Sequence, residues 1–250
     1  MNGKMDIQEG IIRPMRTKTD LEVGPDVLMV MGTSDLDYFV SLKQGKNFAR
    51  VEMGFFNLYQ VKDGLNISFT LAGSFLGAPQ AVMGMEMIIP LGVKRIWVFG
   101  YCGSLDPTLR IGDLVIPTRG ISEEGTSQHY PIGERPLTTD TALNEILVEA
   151  LEKERQTFRR GMVWTTDAPF RETPSKVKEF QDRGVLAVDM EMSALMTLAI
   201  FRDVKLTGLL VVSDELFDLK WNPGFSSPEF HKGLGFAREF LFSLVERLSS

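Results

Sequence analysis

Short apolar runs rich in β-branched and aromatic residues alternate along the chain with longer segments of helical period. The runs fall at 27–31, 67–72, 95–99, 113–117, 161–164, 185–188 and 206–212. This alternation predicts an α/β fold with a largely parallel sheet. Leu143, Ile146, Leu147, Ala150 and Leu151 follow the i, i+3, i+4, i+7, i+8 spacing behind Thr139 or Asp140. Either residue can cap a helix there, and its apolar face should lie on the sheet. A second helix is expected from Pro174 to Gly184. A last one begins near Glu229, with Phe230, Leu234, Ala237, Leu241, Leu244 and Leu248 on one stripe. Lys62-Asp63-Gly64 separates two apolar stretches, and Asp-Gly tolerates the positive φ of a tight turn, so one antiparallel pair should join the sheet. With no repeat or linker composition, the pattern predicts an arm over 1–22 and one domain over 23–250.

Composition narrows the chemistry. The 250 residues are 44% hydrophobic and 24% charged, the profile of a soluble globular protein rather than a disordered, collagenous or coiled-coil one. The 27 basic against 33 acidic residues give a net charge of -6, which argues against nucleic acid as a partner. A single cysteine, Cys102, excludes an intrachain disulfide and a Cys-rich zinc site and points to the cytoplasm. Two histidines, His129 and His231, are too few for a His-based cluster, and no metal is expected. No apolar run approaches the ~18 residues of a membrane span, and the first twenty positions lack a signal-peptide core.

Ligands of open α/β sheets bind at the carboxyl ends of strands. Four junctions there carry chemistry: Gly32-Thr33-Ser34-Asp35, Gly100-Tyr101-Cys102-Gly103-Ser104, Asp189-Met190-Glu191 and Ser213-Asp214-Glu215. Parallel strands would open all four on one edge. Gly100 and Gly103 suit either a plain turn or a close approach of backbone N–H groups to an anion or sugar. They do not form the dinucleotide fingerprint G-x-G-x-x-G. Asp214 emerges between apolar residues, where desolvation would raise its pKa into the range of a proton donor; capping a following helix is the other reading. Glu191 enters an apolar stretch, so its carboxylate needs either an ion-pair partner or a ligand.

In this order the junctions resemble the nucleoside phosphorylase and nucleosidase family, over about residues 27–246. Its pieces are Gly77-Ala78-Pro79, Leu91-Gly92-Val93 leading to Gly100 through Ser104, Ile111-Gly112-Asp113, Val188-Asp189-Met190-Glu191 and Val212-Ser213-Asp214. The resemblance implies a single α/β domain whose central mixed β-sheet is partly closed into a barrel and flanked by helices. It implies dimers, often three to a hexamer, and cleavage of a nucleoside's N-glycosidic bond with inorganic phosphate and no cofactor. Asp214 then matches the purine-class general acid at N7, Glu191 the acceptor of the ribose hydroxyls and Met190 the contact to the sugar. Asp189, Gly32, Gly100, Tyr101, Cys102, Gly103 and Ser213 fall at substrate-binding positions, with Phe170 over the base and Arg171 beside it. The segment Glu124 to Tyr130 is closer to the uridine-type loop, whereas Asp214 leans toward a purine.

The chain departs from that family where phosphate binds. Two positions that carry arginine in phosphorylases are Leu36 and Val98, and Tyr101 replaces the usual Ser or Thr. Arg50 matches a third arginine, which a neighbouring subunit supplies. Asp35 falls near the carboxylate that activates water in hydrolytic nucleosidases, or it caps the following helix. Phosphorolysis is therefore the leading expectation, hydrolysis through Asp35 the alternative, and a nucleoside-binding protein without turnover a third. Arg13 and Arg16 of the arm are further sources of positive charge.

Overall fold

A computed structural model describes residues 10–14, 23–42, 48–63 and 66–249. Most of the expected arm, Arg16 included, and the hairpin tip at Gly64 lie outside them. The strands are β1 (Asp26–Val30), β2 (Phe48–Glu52), β3 (Asn57–Asp63), β4 (Asn66–Gly73), β5 (Arg95–Ser104), β6 (Leu114–Glu123), β7 (Phe158–Thr166), β8 (Val185–Asp189), β9 (Lys205–Glu215) and β10 (Asn222–Pro223). The helices are α1 (Thr33–Ser41), α2 (Ala78–Ile88), α3 (Thr141–Lys153), α4 (Pro174–Asp182), α5 (Met192–Arg202) and α6 (Pro228–Ser249).

One sheet runs β10-β9-β6-β7-β8-β5-β1-β4-β3-β2, and an additional pairing of β5 with β9 closes β5, β9, β6, β7 and β8 into a five-stranded barrel. Strand β1 lies parallel to both β4 and β5, and β5 parallel to β9. The barrel closes through two antiparallel seams, β6 with β9 and β5 with β8. The expectation of one parallel edge is corrected here. Strand β5 outruns β1: its residues Arg95–Phe99 pair with β1, while Gly103 and Ser104 meet Val188 and Ala187 of the antiparallel β8. The register against β9 shifts between Cys102 and Gly103. The four junctions nevertheless converge, because this bend carries the end of β5 across to the end of β8.

The two faces of the sheet bury separate apolar layers. Under α2 and α5 lie Val98, Met85, Leu195 and Leu198; under α1, α3 and α6 lie Trp97, Phe99, Phe39, Leu147 and Leu241, all fully or nearly fully buried. Each such side chain contributes roughly 1.5–3 kcal/mol. Asp140, rather than Thr139, caps α3, accepting from the backbone N–H of Leu143 at 2.9 Å. The Thr139 hydroxyl donates instead to the Pro117 carbonyl at 2.8 Å. Helices α2 and α5 are apolar nearly all round, so no 3.6-residue stripe marks them in the sequence.

Candidate active site

A cavity of about 640 Å³ opens where β1, β5, β8 and β9 end, a volume suited to a small-molecule ligand. Asp214, near the end of β9, lines it. The Trp221 indole N–H donates to Asp214 Oδ2 at 2.9 Å, and the Ser213 hydroxyl lies 2.7 Å from Oδ1. The same Ser213 hydroxyl lies 3.3 Å from the Cys102 carbonyl. Ser213 can therefore serve both protonation states: it donates to the carboxylate, or it accepts the acid proton while donating to Cys102. Burial raises the Asp214 pKa, with Ser213 and Trp221 opposing. The carboxyl needs the bare backbone of Gly103 beneath it. A Cβ there would sit 2.5 Å from Leu216 Cδ1 and 3.2 Å from Asp214 Oδ2.

Glu191 and Met190, just beyond β8, line the same cavity. Glu191 Oε1 accepts the Gly77 N–H at 2.6 Å, which ties the start of α2 to the start of α5. Asp189 is buried beside it and holds that turn. Its Oδ2 accepts the N–H groups of Glu191 and Met192 at 2.9 and 2.6 Å, and its Oδ1 accepts the Thr165 hydroxyl at 2.6 Å. Burial pushes both carboxyls up, and the Asp189 charge adds to the effect on Glu191. Glu191 is thus nearly buried in the cavity wall, with one oxygen fixed by backbone.

Gly32 and Tyr101 form another wall. Behind them Asp35 is fully buried, and both of its oxygens are engaged. The Tyr101 hydroxyl donates to Oδ2 at 2.5 Å, and the Arg238 guanidinium, from α6, donates to Oδ1 through Nε at 2.7 Å and through a second nitrogen. Burial and the Asp35 charge hold the Tyr101 phenol far above its ordinary pKa, so it stays a donor. Asp35 does not cap α1; Gly32 occupies that position with no side-chain bond. Nor does Asp35 line the cavity.

Phe170 lines the cavity mouth and is 99% exposed. Arg171 and Gly100 are not among the lining residues. Arg50 stands exposed on β2, donating to Asn57 at 3.2 Å and Glu52 at 3.1 Å, away from the cavity. Cys102 and Gly103 do line it, and burial pushes the Cys102 thiol up, leaving a protonated, inert side chain. Among the described lining residues the charged groups are Glu172, Asp189, Glu191, Asp214 and one cation, Lys220. Sequence reasoning missed Trp221, Glu172 and Arg238. Arg238 carries a readable signal, since it falls four residues after Leu234 and three before Leu241 on the buried stripe of α6.

Residues 27–249 match the family described as the phosphorylase superfamily. The chain belongs to the phosphorylase superfamily. Curated members similar to it include a guanosine phosphorylase of Halorubrum lacusprofundi, 30% identical over 155 residues, or 62% of this chain and 63% of that protein. A DeoD-type purine nucleoside phosphorylase of Bacillus cereus is 30% identical over 173 residues, 68% of this chain and 72% of its own length. This chain therefore aligns with less than two thirds of the first relative's length. Solved superfamily structures share the fold across almost the whole chain. Purine nucleoside phosphorylase from Toxoplasma gondii in complex with immucillin-H superposes with TM-score 0.80 at 21% identity, covering 100% of this chain and 99% of its own. Uridine phosphorylase from Vibrio fischeri superposes with TM-score 0.78 at 19% identity, covering 91% and 93%.

Proposed function

We propose that the protein is a nucleoside phosphorylase, a pentosyltransferase that cleaves the N-glycosidic bond of a purine nucleoside with inorganic phosphate to give free base and ribose 1-phosphate. The observation that carries this reading is Asp214, a partly buried acid with a raised pKa, lining one cavity with Glu191. The purine relatives in the superfamily support it.

In this reading the bond from C1′ to N9 breaks and its electron pair passes to the base. Asp214 gives a proton to N7, which neutralises the departing purine; such transfer is worth about 10²–10⁴-fold. Glu191 accepts from the ribose hydroxyls and Met190 packs against the ring, fixing C1′ toward the attacking oxygen. A phosphate oxygen then forms the new bond to C1′. Phosphate lies against Gly32 at the N-cap of α1, where backbone N–H groups favour an anion. Because Lys220 is the one cation among the described lining residues, Arg50 from a second copy completes the anion site in a homo-oligomer. Hydrolysis would require Asp35 to hold a water, yet both of its oxygens are bonded and it lies outside the lining, so phosphorolysis is the better-supported reaction. Among the described residues no helix is long and apolar enough to cross a membrane. We assign the enzyme to the cytoplasm on its single thiol.

The test is a panel of inosine, guanosine, adenosine, uridine and methylthioadenosine, with and without phosphate, following base and sugar product. We expect purine release that requires phosphate and yields ribose 1-phosphate, and its loss by about 10²–10⁴-fold in Asp214→Asn. Release of free ribose without phosphate would overturn the phosphorylase reading, and unaltered turnover in the variant would remove Asp214 from the chemistry.

A further inference from the structure

Asp35 holds its charge directly behind the cavity wall. It is fully buried, and a Cβ on Gly32, which lines the cavity, would run into its Oδ2 and stand 3.5 Å from the Tyr101 hydroxyl. Only a glycine at 32 lets the carboxylate come this close to the lining. Its compensation comes from α6, where Arg238 donates to Oδ1 through Nε at 2.7 Å and through a second nitrogen. The guanidinium also lies 4.7 Å from the centre of the Tyr38 ring, and Tyr38 in turn donates its hydroxyl to Glu239 at 3.0 Å. Arg238 is thus clamped between a carboxylate and an aromatic face, outside the lining, and is not itself a contact for the ligand.

Tyr101 joins this pair to the cavity. Its one O–H is engaged by Asp35 at 2.5 Å, so the phenol shows the cavity no donor while that bond holds. Its ring meets Phe230 edge to face at 5.6 Å, which fixes the phenol in place. An anion against Gly32 therefore senses the summed charge of Asp35 and Arg238. With both present the sum is neutral. Without Arg238 one negative charge stands behind Gly32, and without Asp35 one positive charge does. Lys220 is the one cation among the described lining residues, so this sum weighs heavily. A unit charge about 7 Å from a phosphate anion changes its affinity by roughly 10-fold.

Resting on the phosphorylase reading above, we propose that Arg238 is a positioning residue for phosphate: by neutralising Asp35 behind Gly32, it sets the affinity for the anion independently of the nucleoside. The pair acts on one co-substrate only. Glu191, Met190 and Asp214 belong to other elements, β9 and the turn after β8, and their contacts do not pass through Asp35.

The experiment is calorimetric titration of the full chain with inorganic phosphate, beside KM for phosphate and KM for inosine, in wild type, Asp35→Asn, Arg238→Met and the double variant. Asp35→Asn should bind phosphate roughly 10-fold more tightly and Arg238→Met roughly 10-fold more weakly, with the double variant near wild type. KM for inosine should hold within about twofold throughout. The opposite signs separate this role from a structural one, because both single variants lose stability and a pair that only holds the fold together would weaken phosphate binding in both. Asp35→Asn is close to isosteric and decides the sign alone if Arg238→Met does not fold. Weaker or unchanged phosphate binding in Asp35→Asn, a matching shift in KM for inosine, or no phosphate binding in any of the proteins would each overturn the assignment. Failure of the phosphorylase reading has a different signature: phosphate binds with the opposite signs while no nucleoside is cleaved with it.

Discussion

Asp35 and Arg238 offer a sharp test of what lies behind the cavity wall. Asp35 is fully buried and the Arg238 side chain is 14% exposed, so each relies on the other for charge compensation. Arg238→Met would leave the carboxylate with the Tyr101 hydroxyl alone; Asp35→Asn would leave a nearly buried guanidinium beside a neutral amide. Removing one partner of a buried pair costs about 3–5 kcal/mol, because the survivor stays desolvated. At ~2–4 °C per kcal/mol for a chain of this size, each single variant should lower Tm by roughly 6–20 °C. The double variant Asp35→Asn with Arg238→Met removes both charges and should recover part of that loss. Calorimetric melts of the four proteins, at matched concentration because oligomers melt higher when concentrated, read the coupling directly. Single losses below about 1 kcal/mol, or a double variant no more stable than the sum of the singles predicts, would refute the argument. Were Asp35 instead a base that activates water, Asp35→Asn would abolish turnover and leave Tm in place.

Glu191 predicts a pH signature. Its folded carboxyl is pushed up to about 8 by burial and by Asp189, from an ordinary value of 4.5, so the folded state holds its proton more tightly. The stability this confers is complete below pH ~4.5 and disappears as pH rises through about 8. The Tm of the free protein should therefore fall between pH 5.5 and 8.5, and Glu191→Gln, which keeps an acceptor for Gly77, should flatten that fall; an unchanged slope would sink the assignment. Gly103→Ala inserts a Cβ 2.5 Å from Leu216 and 3.2 Å from Asp214. Displacing these side chains should cost about 1–3 kcal/mol of stability and lower the rate of base release more than Tm loss explains, measured by melts and by single-turnover kinetics. Intact kinetics would show that Asp214 does not depend on that clearance.

All seven apolar runs read from the sequence fall on strands of the structure, two of them overrunning by one residue at Met31 and Asp113, because a buried strand must be apolar along its length whatever surrounds it. The extensions were less legible. Beyond Pro117, β6 turns half outward, and Arg119, Ser122 and Glu123 carry no apolar signal although they pair with β7. Helices α2 and α5 escaped periodicity for the opposite reason: their sequences are apolar on nearly every side, although α2 buries one face and leaves Met83 half exposed. In the site, residues next to a strand end were legible, since topology alone delivers Asp189, Glu191, Ser213 and Asp214 to one place. Arg238 was legible only as a charge on the buried stripe of α6; its partner was not, because it reaches Asp35 across 203 positions of sequence. Trp221 comes from the segment between β9 and β10, where no periodicity announces a contact with Asp214.

The double membership of β5 has a mechanical consequence. Its first half is shared between β1 and β9, and its second half between β9 and β8, so one continuous backbone belongs both to the flanking sheet and to the closed ring. The wall of Gly32 and Tyr101 and the wall of Gly103 and Asp214 are therefore braced by the same beam. The distance between them is set by covalent geometry and ladder hydrogen bonds rather than by loop closure. The rim at Phe170, Glu172 and Trp221 can then vary without changing the span between those two walls.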